Sequence, residues 1–330
     1  EDGVSRSIIN ILEYFAVNSS LKSSFYSNQT RAEELGFGTS FNYVQNTSTL
    51  QTVIPTFADK SLNYIQSGNY NVSSPIYIEN KSMGIFGMSP KATILQGQAY
   101  QNTIQVRAPN AGNDWTKISD LKFTNGGFAI DVVAAGVDQS RIYINRCISD
   151  GNMRGFCFAG DAIIVNNFIV NSAISGSGFL VLAQGNADRK IYLYNNTIHN
   201  AGAGLIFDNT VNVSGYIANN MFSDNSNGIA TLGANAIPNS RSGIFFQFNG
   251  TYPFTITSAV GLTVSNNYTD PPFYATDYFY ANTNNYEDKG IQISGDDAIF
   301  EDLSTGEGYG SERNWVGAYG GKQPHSYKST

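Results

Sequence analysis

Two adjacent aspartates near the C-terminal end of the chain, Asp296 and Asp297, are the residues best suited to acid–base chemistry. Glycoside hydrolysis needs two carboxyl groups beside the scissile bond, one acting as a general acid and the other as a base or nucleophile. Neighbouring residues on a strand point to opposite faces, so both carboxylates can face one sugar only if they lie in a turn. The alternative is a polar turn with no catalytic role.

A second group of residues suited to binding is aromatic. Residues 270–286 begin with an aspartate and two prolines and are rich in tyrosine. Aromatic rings pack on apolar surfaces, and the phenol hydroxyl adds a hydrogen-bonding group. The stretch predicts a glycan-binding or subunit-contact surface, and packing against the outside of the fold is the alternative. The candidates are Tyr274, Tyr278, Tyr280 and Tyr286.

Other catalytic chemistries find little support in the sequence. A polysaccharide lyase needs a base, often Arg or Lys, and a cation that neutralises the substrate carboxylate. The central basic residues are Arg141, Arg146, Arg154, Arg189 and Lys190. No Ser–His–Asp arrangement, metal-ligand set or phosphate-binding loop is recognisable, so we expect no metal and no cofactor. The two cysteines, Cys147 and Cys157, are too few for a disulfide framework or a zinc site and are predicted to be free thiols.

A short sequence phrase that recurs along the chain predicts the structural elements that position these residues. It consists of an apolar residue, any residue, Asn (once Asp), two further residues and usually another apolar one. Successive phrases start 25, 21, 29, 24 and 47 residues apart. A period in this range indicates a solenoid, in which each repeat is one coil that buries its apolar face against its neighbours. The phrases start at Ile118, Tyr143, Ile164, Leu193, Ile217 and Val264.

The chain divides into three regions. Residues 1–58 contain apolar residues at helical spacing between Val4 and Phe15 and are predicted to form an N-terminal helical cap over the open end of the solenoid. Residues 59–300 alternate short apolar runs with Gly, Asn, Ser and Pro, which predicts the solenoid itself. Residues 301–330 are predicted to be an irregular C-terminal tail.

The solenoid region resembles a known fold superfamily. Its first apolar runs lie within Asn63–Tyr70, Pro75–Ile78, Met83–Gly87 and Thr93–Leu95, each separated by turn residues. This order, followed by coils with a recurrent Asn, resembles the right-handed parallel β-helix proteins of the pectin-lyase-like superfamily over about residues 60–300. The resemblance implies an all-β, single-domain, right-handed parallel β-helix.

The resemblance also implies that the recurrent Asn residues form an internal ladder. Stacked coils lie about 4.8 Å apart, so amides at equivalent turns can bond to each other and to the turn backbone. Asn also tolerates the left-handed backbone that a sharp turn requires. Ligand binding by these residues is the weaker alternative, and for Asp120 a surface ion pair with Arg146 is expected. The predicted ladder residues are Asp120, Asn145, Asn166, Asn195, Asn219 and Asn266.

For the aspartates, the resemblance implies a hydrolase pattern that is incomplete. Gly295-Asp296-Asp297 is similar to a segment of the polygalacturonase family, in which a third aspartate comes from the preceding coil. Asp270 is the residue that could take this part. The family's downstream His-Gly and Arg-x-Lys motifs are absent. His199 is expected to be structural, and His325 lies in the tail.

Composition and charge limit the kinds of partner that the chain is expected to bind. Charged residues make up 14% of the chain and the net charge is −7, which argues against nucleic acid as a partner. No apolar run reaches the length of a membrane span, so membrane insertion is not expected. Nine Asn-x-Ser/Thr sequons allow glycosylation without requiring it. The expected partners are a glycan or further copies of the chain in a homo-oligomer.

These features favour one function over another. The first hypothesis is a non-catalytic extracellular or virion-surface protein whose solenoid is a structural or attachment element with glycan-binding capacity. The second is a secreted polysaccharide-degrading enzyme, either a polygalacturonase-like hydrolase or a lyase. The missing motifs and the shortage of acids and bases favour the first.

Overall fold

The structure, a computed structural model, describes residues 40–107, 115–133, 140–173, 175–181, 189–194, 196–207, 213–218, 220–223, 225–231, 245–247 and 254–255. Within them the protein is built from short β-strands with very little helix. The strands are two to six residues long, because Gly, Asn, Ser or Pro interrupts each apolar run after a few residues.

The described elements follow one another in a regular order. One short helix, α1 (Leu50–Val53), and a 3₁₀ turn (Ile54–Thr56) lie between the first two strands. The strands are β1 (Phe41–Val44), β2 (Leu62–Ile65), β3 (Gly68–Asn71), β4 (Ile76–Glu79), β5 (Gly84–Gly87), β6 (Thr93–Gln96), β7 (Ile104–Arg107), β8 (Trp115–Ser119), β9 (Lys122–Thr124), β10 (Phe128–Val133), β11 (Arg141–Asn145), β12 (Ile148–Asp150), β13 (Arg154–Phe158), β14 (Asp161–Val165), β15 (Phe168–Val170), β16 (Ser177–Val181), β17 (Arg189–Tyr194), β18 (Thr197–His199), β19 (Ala203–Phe207), β20 (Val213–Ala218), β21 (Met221–Ser223), β22 (Asn227–Thr231), β23 (Phe245–Gln247) and β24 (Phe254–Thr255).

These strands form three parallel sheets of eight strands each. Sheet A has the order β1-β2-β5-β8-β11-β14-β17-β20, sheet B the order β3-β6-β9-β12-β15-β18-β21-β23, and sheet C the order β4-β7-β10-β13-β16-β19-β22-β24. From β2 to β22 the chain visits the sheets as A, B, C in each coil, and β23 and β24 then add one strand each to sheets B and C, so strands pair with their equivalents in the adjacent coils. The predicted all-β parallel solenoid is confirmed.

The core runs along the axis between the three sheets. In sheet A the side chains of Ile85, Ile118, Ile144, Ile164 and Leu193 occupy one register position in successive coils, and each is 0% exposed. Alternate residues of each strand point inward, so the same position in every coil meets the same apolar environment. This stacking explains why a phrase of fixed apolar spacing recurs along the chain.

The N-terminal region is described only from residue 40. Strand β1 pairs with β2 in sheet A, so a strand of the solenoid lies within the region predicted as the cap. Helix in the described part of that region is limited to α1 and the 3₁₀ turn, in which Leu50 and Ile54 are buried. The amphipathic helix predicted between Val4 and Phe15 lies outside the described residues.

Candidate functional site

Most of the residues predicted to carry chemistry fall outside the described part of the chain. This holds for the three aspartates Asp270, Asp296 and Asp297 and for the four tyrosines of residues 274–286. It also holds for three of the predicted ladder residues, Asn195, Asn219 and Asn266. Their assignment stays a prediction. The described coils nevertheless contain several polar groups whose geometry bears on function.

The predicted ladder residues that the structure describes lie at the corner between sheets A and B, but one of them does not occupy the turn position. Asp120, Arg146 and Asn166 follow directly after paired strands and have left-handed backbone, with φ of 59°, 51° and 56°. Asn145 is instead the last residue of β11, in register with Ser119 and Val165. The phrase around Asn145 is therefore offset by one residue, and Arg146 takes the turn position.

The hydrogen-bonded ladder passes through Asn167, which follows the turn residue Asn166, and through Asn196 and Asn220. Asn167 Nδ2 donates to Asn196 Oδ1 (2.9 Å), and Asn196 Nδ2 donates to Asn220 Oδ1 (2.9 Å). The same amides bond the backbone: Asn196 Nδ2 donates to Ile164 O (2.9 Å), and Asn196 Oδ1 accepts from Asn167 N (3.0 Å). All three Asn side chains are 0% exposed. Buried, bonded on both sides and closed to solvent, these amides hold the corner together.

An ion pair joins the turn positions of the two coils that precede Asn166. Arg146 Nε lies 2.8 Å from Asp120 Oδ1, and Arg146 Nη2 lies 2.9 Å from Asp120 Oδ2, which is a bidentate geometry. The predicted pairing is present, but its predicted surface location is wrong, since the side chains are only 7% and 5% exposed. Burial opposes the charge of Arg146, yet the charge and hydrogen bonds of Asp120 outweigh it and raise the pKa of the guanidinium.

The corner between sheets B and C also contains buried Asn side chains that bond the backbone of the preceding coil. Asn152 Nδ2 donates to Phe123 O (2.9 Å) while its Oδ1 accepts from Gly126 N (2.7 Å). Three coils further on, Asn225 bonds Ile198 O and Ala201 N in the same way. Sequence reasoning missed this corner because Gly, Ser and Ala share its positions with Asn.

The basic residues considered for a lyase do not converge. Arg141 lies on sheet A, 3.5 Å from Asp161 in the next coil, whereas Arg154 lies on sheet C with its guanidinium 5.3 Å from the centre of the Phe128 ring. Arg146 is buried in its ion pair, and the side chains of Arg189 and Lys190 lie outside the described residues. The three candidate arginines that the structure describes therefore lie at different places: on sheet A, in the buried ion pair and on sheet C.

The outer face of sheet C carries a connected polar strip over three coils. Tyr77, Gln105 and Asp131 are in register on adjacent strands. Asp131 Oδ2 accepts from Gln105 Nε2 (2.7 Å) and from Asn102 Nδ2 (2.7 Å). These bonds fix the orientation of two partly exposed amides around one carboxylate. We name residues Tyr77, Glu79, Asn102, Gln105, Arg107 and Asp131 the sheet C strip.

An exposed ion pair completes the sheet C strip. Arg107 Nη1 lies 2.7 Å from Glu79 Oε1, and both side chains are 47% exposed. The Arg107 guanidinium also donates to Gln105 Oε1 (3.1 Å) and stacks 4.5 Å from the centre of the Tyr77 ring. The strip is therefore a hydrogen-bonded surface whose exposed charges compensate each other.

Asp131 differs from the other groups of the strip in being 7% exposed. Burial raises the pKa of its carboxyl, and the hydrogen bonds from Gln105 and Cys157 and the charge of Arg107 offset part of this increase. A carboxyl with a raised pKa can act as a general acid. Its sequence signal is a single carboxylate in the otherwise apolar run Phe128–Val133.

We expect Asp131→Asn to remove a pH dependence of stability. The folded pKa of Asp131 is raised, so its contribution to stability is complete below the ordinary value of 3.8 and is lost as pH rises through the folded pKa. Between the two pKa values the wild type loses up to about 1.4 kcal/mol per pH unit. Urea unfolding between about pH 4 and about pH 8 measures the difference between the variant and the wild type.

The control is Gln105→Ala, which removes a hydrogen bond that lowers the pKa of Asp131. Its stability should fall with pH over a wider range than that of the wild type, so the total loss should be larger. Parallel curves for wild type and Asp131→Asn would contradict the expected raised pKa.

Both cysteines are free and fully buried, as predicted for free thiols. Burial raises the pKa of the Cys147 thiol and that of the Cys157 thiol well above the ordinary value. Cys147 lies at the corner between sheets A and B, where its N–H donates to Asn167 Oδ1 (2.9 Å), and Cys157 lies on sheet C beside Asp131. The reactivity of each thiol therefore tests the solvent access of a different part of the same coil.

We expect neither thiol to react with iodoacetamide in the native protein, since only an exposed thiolate is a good nucleophile. Both should react once urea unfolds the chain, and mass spectrometry of the alkylated protein counts them. Rapid native reaction at Cys157 alone would show that the outer face of sheet C opens to solvent while the corner at Cys147 stays closed.

The corner before β7 differs from its equivalents. It occupies residues 97–103, whereas the same corner occupies residues 125–127 and 151–153 in the next two coils. Tyr100 lies at its tip, 82% exposed, with φ of +66°. The longer spacing between apolar runs is visible in the sequence, but the exposure of this tyrosine among 20 is not.

Metal sites and membrane spans are not found in the part of the chain that the structure describes. No three His, Cys, Asp or Glu side chains there are grouped so as to hold an ion. None of the helices in these residues is long and apolar enough to cross a bilayer. Neither a scan against models of known protein families nor a search of curated proteins finds a match to the chain.

Proposed function

We propose that the chain is a non-catalytic extracellular or virion-surface protein whose β-helix is a rigid structural or attachment element that binds glycans. The main support for the proposal is that buried polar side chains of the described coils bond to one another and to the backbone. Asn167, Asn196 and Asn220 bond each other and the backbone of adjacent coils. Such groups stabilise a rigid body rather than form a reactive centre.

The charged residues support the same proposal. Four ion pairs among the described residues each join one coil to the next: Glu79–Arg107, Asp120–Arg146, Lys122–Asp150 and Arg141–Asp161. A catalytic acid or base must instead be free to exchange a proton with a substrate. The acids and bases of these pairs therefore act between coils, as expected for a spacer.

We also propose membership of the pectin-lyase-like superfamily. The support is the combination of three parallel sheets, a short corner with left-handed turn residues between sheets A and B, and buried amides stacked at that corner. A self-assembling homo-oligomer is compatible with this architecture, because each coil of a solenoid contacts only its neighbours.

The second candidate function is a secreted polysaccharide hydrolase, and one observation favours it. Asp131 is a buried carboxyl of raised pKa on a partly exposed polar face. A hydrolase of this kind would need a second carboxyl group across the substrate. In the sheet C strip the other carboxylate is Glu79, which is engaged by Arg107 at 2.7 Å.

One experiment separates the two functions. The purified chain is incubated with neutral and acidic polysaccharides, and reducing ends and unsaturated uronates are measured. We expect no turnover above that of heat-denatured protein. Turnover that disappears in Asp297→Asn or Asp131→Asn and persists in Asp150→Asn would establish the hydrolase and overturn the non-catalytic function.

A further inference from the structure

The side chain of Tyr100 is highly exposed, and its backbone has an unfavourable conformation. It is the exposed large hydrophobic side chain of the described residues, at 82% exposure. Its φ of +66° is a left-handed conformation that bulky residues rarely adopt, and such strain persists where the surrounding structure enforces it and concentrates at functional sites. Folding would be served better by Gly or Asn at this position.

The surrounding corner holds Tyr100 in place. Gln101 N donates to Gln98 O (3.0 Å), and Gly127 N donates to Gln101 O (2.6 Å), which ties the corner to the next coil. A Cβ added at Gly127 would come within 2.9 Å of the Tyr100 carbonyl carbon. The backbone of Tyr100 therefore rests directly on that of Gly127, and its ring is presented from a fixed base.

Asn102, a residue of the sheet C strip, lies two residues further along the chain. Consecutive Cα atoms are about 3.8 Å apart, so the Cα atoms of Tyr100 and Asn102 are separated by at most about 7.6 Å. Asn102 is oriented by two bonds, one to Asp131 (2.7 Å) and one from Phe128 N to its Oδ1 (3.2 Å). Gln105 lies on the same face and also bonds Asp131. The exposed Tyr100 thus lies close along the chain to a row of oriented amides.

The charges of this region favour a neutral ligand. Glu79 and Arg107 compensate each other at 2.7 Å, and Asp131 is shielded by its two amide donors. The net charge of −7 repels polyanions. An aromatic ring near amide donors and acceptors, with the cation of the sheet C strip paired to Glu79, suits a ligand with apolar faces and hydroxyl groups.

We propose that Tyr100 and the adjoining amides of Asn102 and Gln105 form a binding site for a neutral saccharide, with the Tyr100 ring stacking on a sugar face. The proposal rests on the proposed attachment function and gives it a location and a ligand class. It assigns the strain at Tyr100 to recognition rather than to folding.

The test is isothermal titration calorimetry of the full chain with neutral hexasaccharides of glucose, xylose and mannose and with an oligogalacturonate as the acidic comparison. We expect binding of at least one neutral ligand, weakened about 3–10-fold in Tyr100→Ala, which corresponds to the loss of one aromatic contact. Asn102→Ala should weaken binding as well. Gln96→Ala, an exposed residue on neighbouring sheet B, is the control and should bind as the wild type does.

Thermal unfolding of Tyr100→Gly adds a readout that a structural role would not give. Glycine accepts a positive φ without strain, so this variant should keep or raise the Tm while it loses binding. A lowered Tm with unchanged binding would assign Tyr100 to folding and overturn the proposal. Failure of every neutral ligand to bind, or binding of the oligogalacturonate alone, would overturn it too.

The outcomes for the site and for the proposed function are distinguishable. Polysaccharide turnover together with binding that depends on Tyr100 would reject the non-catalytic function and keep the saccharide site. Absence of both turnover and binding would reject the site and leave the structural role.

Discussion

Arg146→Ala is expected to destabilise the protein by about 3–5 kcal/mol, the cost of removing one partner of a buried ion pair. The substitution leaves the Asp120 carboxylate, whose residue is 4% exposed, without the guanidinium that bonds it at 2.8 and 2.9 Å. A carboxylate in that environment must either stay charged at high cost or take up a proton. Urea unfolding monitored by circular dichroism measures the change in free energy of unfolding.

Two further variants test whether the loss of stability in Arg146→Ala comes from the burial of the ion pair and from its position in the corner. Arg107→Ala breaks the pair with Glu79, whose side chains are 47% exposed, and should cost no more than about 1 kcal/mol. The double variant Asp120→Asn/Arg146→Asn replaces the pair with the residue type found one coil later at Asn166, and it should recover most of the loss. Equal costs for Arg146→Ala and Arg107→Ala would contradict the importance of the buried pair.

Asn196→Ala is expected to destabilise the protein by about 2–5 kcal/mol, because it deprives two buried backbone groups of their partner at about 1–3 kcal/mol each. Asn167 N loses the acceptor Asn196 Oδ1 (3.0 Å), and Ile164 O loses the donor Asn196 Nδ2 (2.9 Å). The loss should be visible as a lower urea midpoint with little change in the slope of unfolding, since the buried surface hardly changes.

An isosteric variant separates hydrogen bonding from volume. Asn196→Asp keeps the shape but turns a carboxylate oxygen towards Ile164 O and Asn220 Oδ1, both of which are acceptors. It should be at least as destabilising as Asn196→Ala. Gln51→Ala removes an exposed bond to Ser73 (3.0 Å) and should change stability by less than about 0.5 kcal/mol. A mild effect of Asn196→Asp would show that packing, rather than the amide, holds the corner.

The fold was predictable because its signal is repeated. Inward positions such as Ile118, Ile144 and Ile164 meet the same environment in each coil, so the apolar spacing recurs and the period can be measured. The exact register was not predictable, because Asn145 satisfies the same phrase one residue early. Arg146 fills the turn position through its bond with Asp120, a pairing that no local pattern encodes.

The candidate site was much less predictable than the fold. Asp131 and Asn102 are 29 residues apart and meet only because one coil returns the chain to sheet C. Tyr100 is one of 20 tyrosines, and its exposure and backbone conformation follow from the tertiary contact of its corner with Gly127. Sequence reasoning instead favoured the C-terminal aspartates and tyrosines, which lie outside the described residues and stay predictions.

The parallel register of the three sheets has a mechanical consequence. The strands run around the axis, so their interstrand hydrogen bonds lie along it, and a pull on the two ends loads the bonds of one coil boundary at a time. Such a body should lengthen by peeling coil from coil rather than by the simultaneous shear of many bonds. The boundary between β8 and β11, closed by Asp120 and Arg146, would then resist more than a boundary held by backbone bonds alone, and the buried ion pair would set where extension pauses.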